Sequence, residues 1–217
     1  MIESRAEIQV EIISDAICPW CFFGKRRFEQ AVAKLPERTS LSVRWRPFEL
    51  NPSMPAEGMD RVVYRSRKFG SLERAKERDA QVAAAGAQEG IDFHHELMAR
   101  TPNTFAAHRL IWLAEREGDQ DRLVEALFRA YFVEGRDIGN SVLLADLAAS
   151  AGIARERAEA FLAGDEGADE VRGAEIAAQR QGVAGVPTFV VNGRVAFSGA
   201  QRSEVMLAHL LRAVPPE

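Results

Sequence analysis

Cysteine is scarce in this chain: Cys18 and Cys21 are the two it has among 217 residues. A disulfide-stapled scaffold is therefore excluded. A chain of this length does not need one, because it buries roughly 70% of the surface its unfolded form exposes. Long apolar runs are also missing. Stretches such as Leu110-Ile111-Trp112-Leu113-Ala114 stop far short of the ~20 residues that a membrane-crossing helix requires. Positive charge is not in excess either: 28 basic against 32 acidic side chains give a net charge of −4. With no stripe of Lys and Arg interleaved with aromatics, nucleic acid is not the expected partner. The opening Met1-Ile2-Glu3-Ser4-Arg5-Ala6-Glu7 is charged throughout and has no apolar stretch of the kind that directs secretion. The expected location is the cytoplasm.

What is present centres on the two cysteines, which stand three residues apart in Asp15-Ala16-Ile17-Cys18-Pro19-Trp20-Cys21-Phe22-Phe23-Gly24. On a helix, positions i and i+3 are neighbours about 5–6 Å apart, a separation that a disulfide spans. As a structural clip the pair would close a loop of a few residues and contribute roughly 2 kcal/mol, little beside a core of this size. Zinc needs four ligands, and the adjacent His94-His95 pair is far away with the wrong spacing. No metal site is expected.

The surroundings of the pair point to its use. Upstream, Glu7-Ile8-Gln9-Val10-Glu11-Ile12 alternates polar and apolar residues, as a strand does. Downstream, Phe28, Val32 (or Ala31) and Leu35 recur at helical spacing until Pro36. Pro19 suits the first turn of such a helix, where a missing N–H costs nothing. Leu41-Ser42-Val43-Arg44-Trp45 alternates again, completing β-α-β, the setting in which a C-x-x-C reads as a thioredoxin-like redox motif. At the helix N-terminus, free N–H groups and the helix dipole favour the thiolate form of Cys18, making it the expected nucleophile. Cys21, one turn further in, becomes the expected resolving thiol. Trp20 between them brings no charge. Asp15 is the nearest acid, either partly buried and exchanging protons with Cys21 or solvated in a turn at the surface.

Towards the C-terminus, Thr188-Phe189-Val190-Val191 and Val195-Ala196-Phe197 flank Asn192-Gly193, a type I′ hairpin signal. A closing helix over 201–213 follows. Between the two halves, residues 54–170 read as helices without strands. These are a polar amphipathic piece carrying Val62, Val63 and Phe69 and a second over 72–85, broken at Gly70 and Gly86-Gly90, a helix capped by Asn103 or Thr104 through Glu117, then 121–133, 141–151 and 155–163. A last helix over 169–180 leads back. His108 lies on an apolar helix face and reads as a hydrogen-bonded core or cleft residue, with Asn103 as a second cleft residue. Lys25-Arg26-Arg27 reads as a solvated helix face.

Together, Cys18-Pro19-Trp20-Cys21, Gly185-Val186-Pro187-Thr188-Phe189, Arg46-Pro47-Phe48-Glu49-Leu50-Asn51-Pro52 and Pro102-Asn103-Thr104 with Ala107-His108 resemble the DsbA family of the thioredoxin superfamily, in its cytosolic FrnE-like branch. The resemblance spans essentially the whole chain. It implies an α/β thioredoxin-like fold, with residues 1–53 and 171–217 forming a discontinuous thioredoxin-like domain and 54–170 an inserted all-helical domain. It also implies that Pro187 is a cis-proline packed against the redox pair, and that Val186, Pro187 and Thr188 form the substrate-binding edge. The implied activity is thiol–disulfide exchange with protein or small-molecule thiols, using the Cys18–Cys21 disulfide and no separate cofactor, with glutathione as a candidate co-substrate. Two alternatives stand beside it. One is glutathione-dependent transferase or 2-hydroxychromene-2-carboxylate isomerase chemistry on the same scaffold, which resembles a fold with serine where Cys18 stands. The other is a non-catalytic, chaperone-like binding module.

Overall fold

The computed structural model describes residues 6–214, so most of the N-terminal stretch read above as leaderless lies outside the described residues. Chain order is β1 (Ala6–Ser14), α1 (Pro19–Val32), β2 (Thr39–Pro47), β3 (Met59–Asp60), α2 (Arg61–Phe69), α3 (Leu72–Gln88), a 3-10 turn (His95–Leu97), β4 (Arg100–Thr101), α4 (Phe105–Glu117) and α5 (Gln120–Phe128). After a π-helical turn (Arg129–Val133) come α6 (Ser141–Ser150), α7 (Arg155–Ala163), α8 (Ala168–Arg180), β5 (Thr188–Val191), β6 (Arg194–Ser198) and α9 (Ser203–Ala213). The central sheet has the order β2-β1-β5-β6. β1 and β2 are parallel, with Ile12 opposite Trp45, while β5 runs antiparallel to both β1 and β6. This is the thioredoxin-like arrangement of β-α-β followed by β-β-α.

Alternation along β1 puts Ile8, Val10 and Ile12 into the main core with Phe28 of α1 and Met206 and Leu210 of α9. Ile13 points the other way, to Val190, Val183 and Ala178 of α8. The sheet is thus covered on both faces. Its β2 edge is closed by α5: Gln120 accepts from Trp45 N at 2.7 Å and donates to Trp45 O at 3.0 Å, satisfying backbone groups that an edge strand leaves open. The β5–β6 hairpin turns through Asn192 (φ 48°) and Gly193 (φ 77°), the two positive angles that a type I′ turn demands.

An aromatic cluster ties α1 to the helices inserted between β2 and β5. Phe22 stacks on Phe128 at 5.1 Å and meets Phe132 and Phe93, each at 6.1 Å; Phe23 meets Phe93 at 5.5 Å. Phe22, Phe23 and Phe128 are fully buried, and each such ring contributes roughly 1.5–3 kcal/mol.

Several local expectations are corrected. The inserted segment is not strand-free: β3 and β4 pair as a short antiparallel ribbon, Met59 opposite Thr101. Two-residue strands have no periodicity to read. α1 ends at Val32, before Leu35, which still packs on the core after a tight turn. α3 does not break at Gly86 but passes through it to Gln88; the glycine makes room for the Phe93 ring, which a Cβ there would meet at 2.4 Å. The helix expected over 121–133 changes to π geometry at Arg129. Of the two capping candidates of α4, Thr104 holds the N-cap position without a side-chain bond, and Asn103 just before it accepts from Phe105 N at 2.9 Å.

The largest correction concerns Lys25-Arg26-Arg27, which is an internal contact and not a solvated face. Lys25 is 2% exposed, with Nζ bonded to Glu29 and 2.9 Å from Asp121 Oδ2. Arg26 forks onto Glu125 at 2.5 and 2.8 Å, and Arg27 reaches Glu89 at 2.6 Å.

Candidate active site

The loop after β1 carries the chain straight into α1 with Cys18 as the N-cap residue and Pro19 at the first helical position. Cys18 makes no side-chain cap bond of its own. The loop is built by Asp15: its carbonyl accepts from Cys18 N at 3.0 Å, and its Oδ1 from Ile17 N at 3.3 Å. Both thiols are free and buried, whereas Trp20 is half exposed beside the entrance to the site. Burial pushes the Cys21 thiol well up, and the adjoining Cys18 thiol adds to the shift; contacts to Ser14 and to the Asp15 backbone oppose it.

The opposite wall comes from the loop before β5. The Val186–Pro187 peptide bond is cis, and the Val186 carbonyl accepts from Cys18 Sγ at 3.7 Å. Pro187 also leans on α1, where Gly24 gives it room: a Cβ at Gly24 would lie 2.9 Å from Pro187 Cγ. Thr188 is spent internally, its hydroxyl donating to Gly185 O at 2.8 Å and lying 2.9 Å from Ser198 Oγ. It holds the loop's shape from behind and does not line the cavity.

That cavity, about 520 Å³, opens over Cys18 and is bounded by Ile17, Pro19, Trp20, Gly185 and Val186 on the sheet side. Its far wall is formed by α2 and α3. Neither His108 nor Asn103 lines it. Asn103 is occupied by accepting from Phe105 N at the start of α4 and by a bond from Nδ2 to Met54 O at 2.8 Å. His108 is buried beneath the site, its Nε2 3.5 Å from Asp15 Oδ1.

Asp15 itself is fully buried, which overturns the surface-turn alternative. Its Oδ2 accepts from Leu50 N at 2.7 Å. The carboxylate therefore faces His108 and the chain after β2, while Cys21 meets only the Asp15 backbone. Two acids to which sequence reading gave no role complete this cluster. Glu175 Oε1 accepts from Glu49 N at 2.9 Å. Burial raises Glu49 to about 7, helped by Glu175 and Asp15 and opposed by His108. Burial raises Glu175 as well. For His108, burial acts downwards, but Asp15, Glu175 and Glu49 outweigh it and leave the imidazole above its ordinary value. A buried imidazole thus sits among three carboxyl groups directly under the Cys18 turn. Among the described residues no group of His, Cys, Asp and Glu is arranged to hold a metal ion, and no helix is long and apolar enough to cross a membrane.

The chain is similar over most of its length to known proteins. A family model described as a DSBA-like thioredoxin domain matches residues 9–211. The Bacillus subtilis protein YwbO is 26% identical over 199 residues, 91% of this chain and 93% of that protein. The crystal structure of a probable DsbA oxidoreductase from Streptomyces coelicolor superposes with a TM-score of 0.87 at 36% identity, covering 97% of this chain and 93% of the other. The cytosolic disulfide reductase DsbM from Pseudomonas aeruginosa, solved with GSH, shares the fold at 22% identity with a TM-score of 0.64, over 94% and 99% of the two chains.

Proposed function

Since the chain belongs to the DSBA-like thioredoxin family, we propose that it is a thiol–disulfide oxidoreductase working through Cys18 and Cys21. The observation that carries this reading is the placement of Cys18 as the N-cap of α1, at the floor of a cavity and against the Val186 carbonyl, with Cys21 one turn behind it. The positive end of the α1 dipole favours negative charge on Cys18. Burial keeps the proton on Cys21, so Cys18 attacks first. Its thiolate displaces one sulfur of a partner disulfide, forming a Cys18–partner bond and releasing one partner thiolate. Cys21 then loses its proton and attacks Cys18 Sγ, closing Cys18–Cys21 and expelling the second thiolate. Two electrons pass from the enzyme dithiol to the partner, and the two protons go with them. Run backwards, the same steps oxidise a dithiol. No further cofactor is needed in this scheme, and glutathione, present with DsbM, is a candidate partner.

Val186 and Pro187 form the edge against which the partner lies, Trp20 borders the entrance, and Thr188 fixes the loop. Asp15 is a positioning residue: it shapes the turn that presents Cys18 and is itself held by His108 and Leu50 N. The cytoplasm is the setting we infer. The test is a Cys21→Ser variant challenged with oxidised glutathione. The proposal expects a stable Cys18–glutathione adduct by mass, absent in Cys18→Ser. Equal labelling of both variants, or of neither, would overturn it.

A further inference from the structure

The wall of the cavity that faces Cys18 is cationic. Arg61, Arg65 and Lys68 line it from α2, where spacings of four and three put them on one helix face, and Arg78 joins them from α3. Among the described lining residues Asp79 is the single carboxylate. It is already spent on two of the four, pairing with Arg61 at 2.9 Å and with Arg65. Lys68 donates to the Tyr64 hydroxyl at 2.9 Å and Arg78 to Gln81 Oε1 at 3.1 Å. Among the described residues neither has an acidic partner, and Arg65 keeps a buried Nε with no hydrogen-bond partner. His95, in the same wall, is pushed down to about 4 by burial, with Arg61 and Arg65 adding to the shift against Asp79. It stays neutral near pH 7 and does not offset or add to the charge.

The rest of the lining is largely apolar, including Ile17, Leu50, Phe69, Met98 and Phe132. The chain as a whole carries −4, so four cations around one cavity are a local feature and not a consequence of composition. A cleft of about 520 Å³ suits a small organic molecule, bound by apolar walls and oriented by a few polar groups. Low-dielectric walls also focus the field of unpaired cations into the space they surround.

Resting on the reading of Cys18 as a disulfide-exchanging thiol, we propose that its partner is a small organic anion, an apolar or aromatic thiol or disulfide. Lys68, Arg78 and Arg65 hold its acid group while its sulfur meets Cys18. The exchange itself follows the balanced steps given above, the partner disulfide taking two electrons and leaving as two thiols. An anionic head on the α2–α3 wall and a sulfur at the α1 N-terminus span the cavity between its two sides.

The test uses the reduced full-length protein and two aromatic disulfides, the dianionic dithiobis-nitrobenzoate and the neutral dithiodipyridine. Their rate constants for reaction at Cys18 are measured by stopped flow. The quantity read is the ratio of anionic to neutral rate constants, which removes any general change in Cys18 reactivity. In the double variant Lys68→Ala/Arg78→Ala the ratio is expected to fall on the order of ten-fold. In Arg180→Ala/Arg212→Ala, which removes the same charge outside the cavity, it is expected to hold. An unchanged ratio in the first variant, with exchange still proceeding, overturns the anion site and leaves the oxidoreductase reading intact. Absence of reaction at Cys18 with both probes overturns the oxidoreductase reading and this inference with it.

Discussion

Replacing Lys25 by Met tests whether α1 is anchored to the inserted helices by charge as well as by packing. Met keeps the apolar stem and removes the ammonium. Lys25 is buried, with Nζ 2.9 Å from Asp121 Oδ2, 3.6 Å from Glu125 Oε2 and bonded to Glu29. Stripping one partner from a buried ion cluster costs about 3–5 kcal/mol, whereas exposed pairs are worth about 0–1 kcal/mol. Here the cation is buried but Asp121 and Glu29 are half exposed. Arg26 still holds Glu125, and Trp45 Nε1 still donates to Asp121 Oδ1 at 3.0 Å. The expected loss is therefore intermediate, about 2 kcal/mol. For a chain of this size that lowers Tm by roughly 4–8 °C.

The pH dependence has a definite sign. Burial works against the Lys25 ammonium, but Glu29 and Asp121 outweigh it and raise its pKa. Its contribution is thus complete below the unfolded value near ~10.4 and is lost only as pH rises through the folded one. For Glu125, burial acts upwards, and Arg26 and Lys25 outweigh it and lower the carboxyl. Its contribution is present above the unfolded value near ~4.3 and fades as pH falls through the folded one. The gap between wild type and variant in thermal melts is expected to be constant from neutral to mildly alkaline pH and to narrow in acid. A Tm shift below about 1 °C at pH 7, the result for a solvated helix face, would refute the reasoning.

Other substitutions probe the site itself. In Gly24→Ala the new Cβ meets the Pro187 ring at 2.9 Å; overpacking of this kind costs about 1–3 kcal/mol. Lower thermal stability together with an altered rate of Cys18 alkylation is expected, and wild-type values for both would contradict the close α1–Pro187 contact. Glu49, raised to about 7, holds its proton in the fold when the unfolded chain has released it, so it makes stability fall as pH rises between roughly 4 and 7. Glu49→Gln is expected to flatten that part of the Tm-against-pH curve and to raise Tm at pH 8 relative to wild type. A parallel offset at every pH would show that Glu49 does not titrate in this window.

What the sequence made legible is what local chemistry writes. The Cys18–Cys21 spacing, Pro19 at the helix start and Asn192-Gly193 between two apolar runs each state their geometry within a few residues. The structure realises them as a helix N-terminus and a hairpin. The β-α-β and β-β-α order follows from such signals, and the family match bears out the fold. What stayed hidden depends on partners distant in the chain. Lys25-Arg26-Arg27 looks like any polar helix face until Asp121 and Glu125, almost a hundred residues later, are folded against it. Asp15 was noticed, but its burial required His108 and Leu50. Glu49 stands inside the Arg46–Pro52 stretch without a role of its own there, Glu175 in no motif, and the two acquire a role only because α8 lays one beside the other. Gly24 has a signal of a kind, as the glycine closing the cysteine segment. Its reason, the approach of Pro187, lies at the other end of the chain.

The most direct test of the account is a redox titration of the Cys18–Cys21 pair across glutathione buffers, read by thiol alkylation and intact mass. The account predicts a reversible two-electron transition in which both thiols are lost together and no glutathione adduct accumulates, with the transition abolished in Cys18→Ser. A pair that stays reduced at every potential, or that stops as a stable glutathione adduct in the wild-type protein, would contradict it.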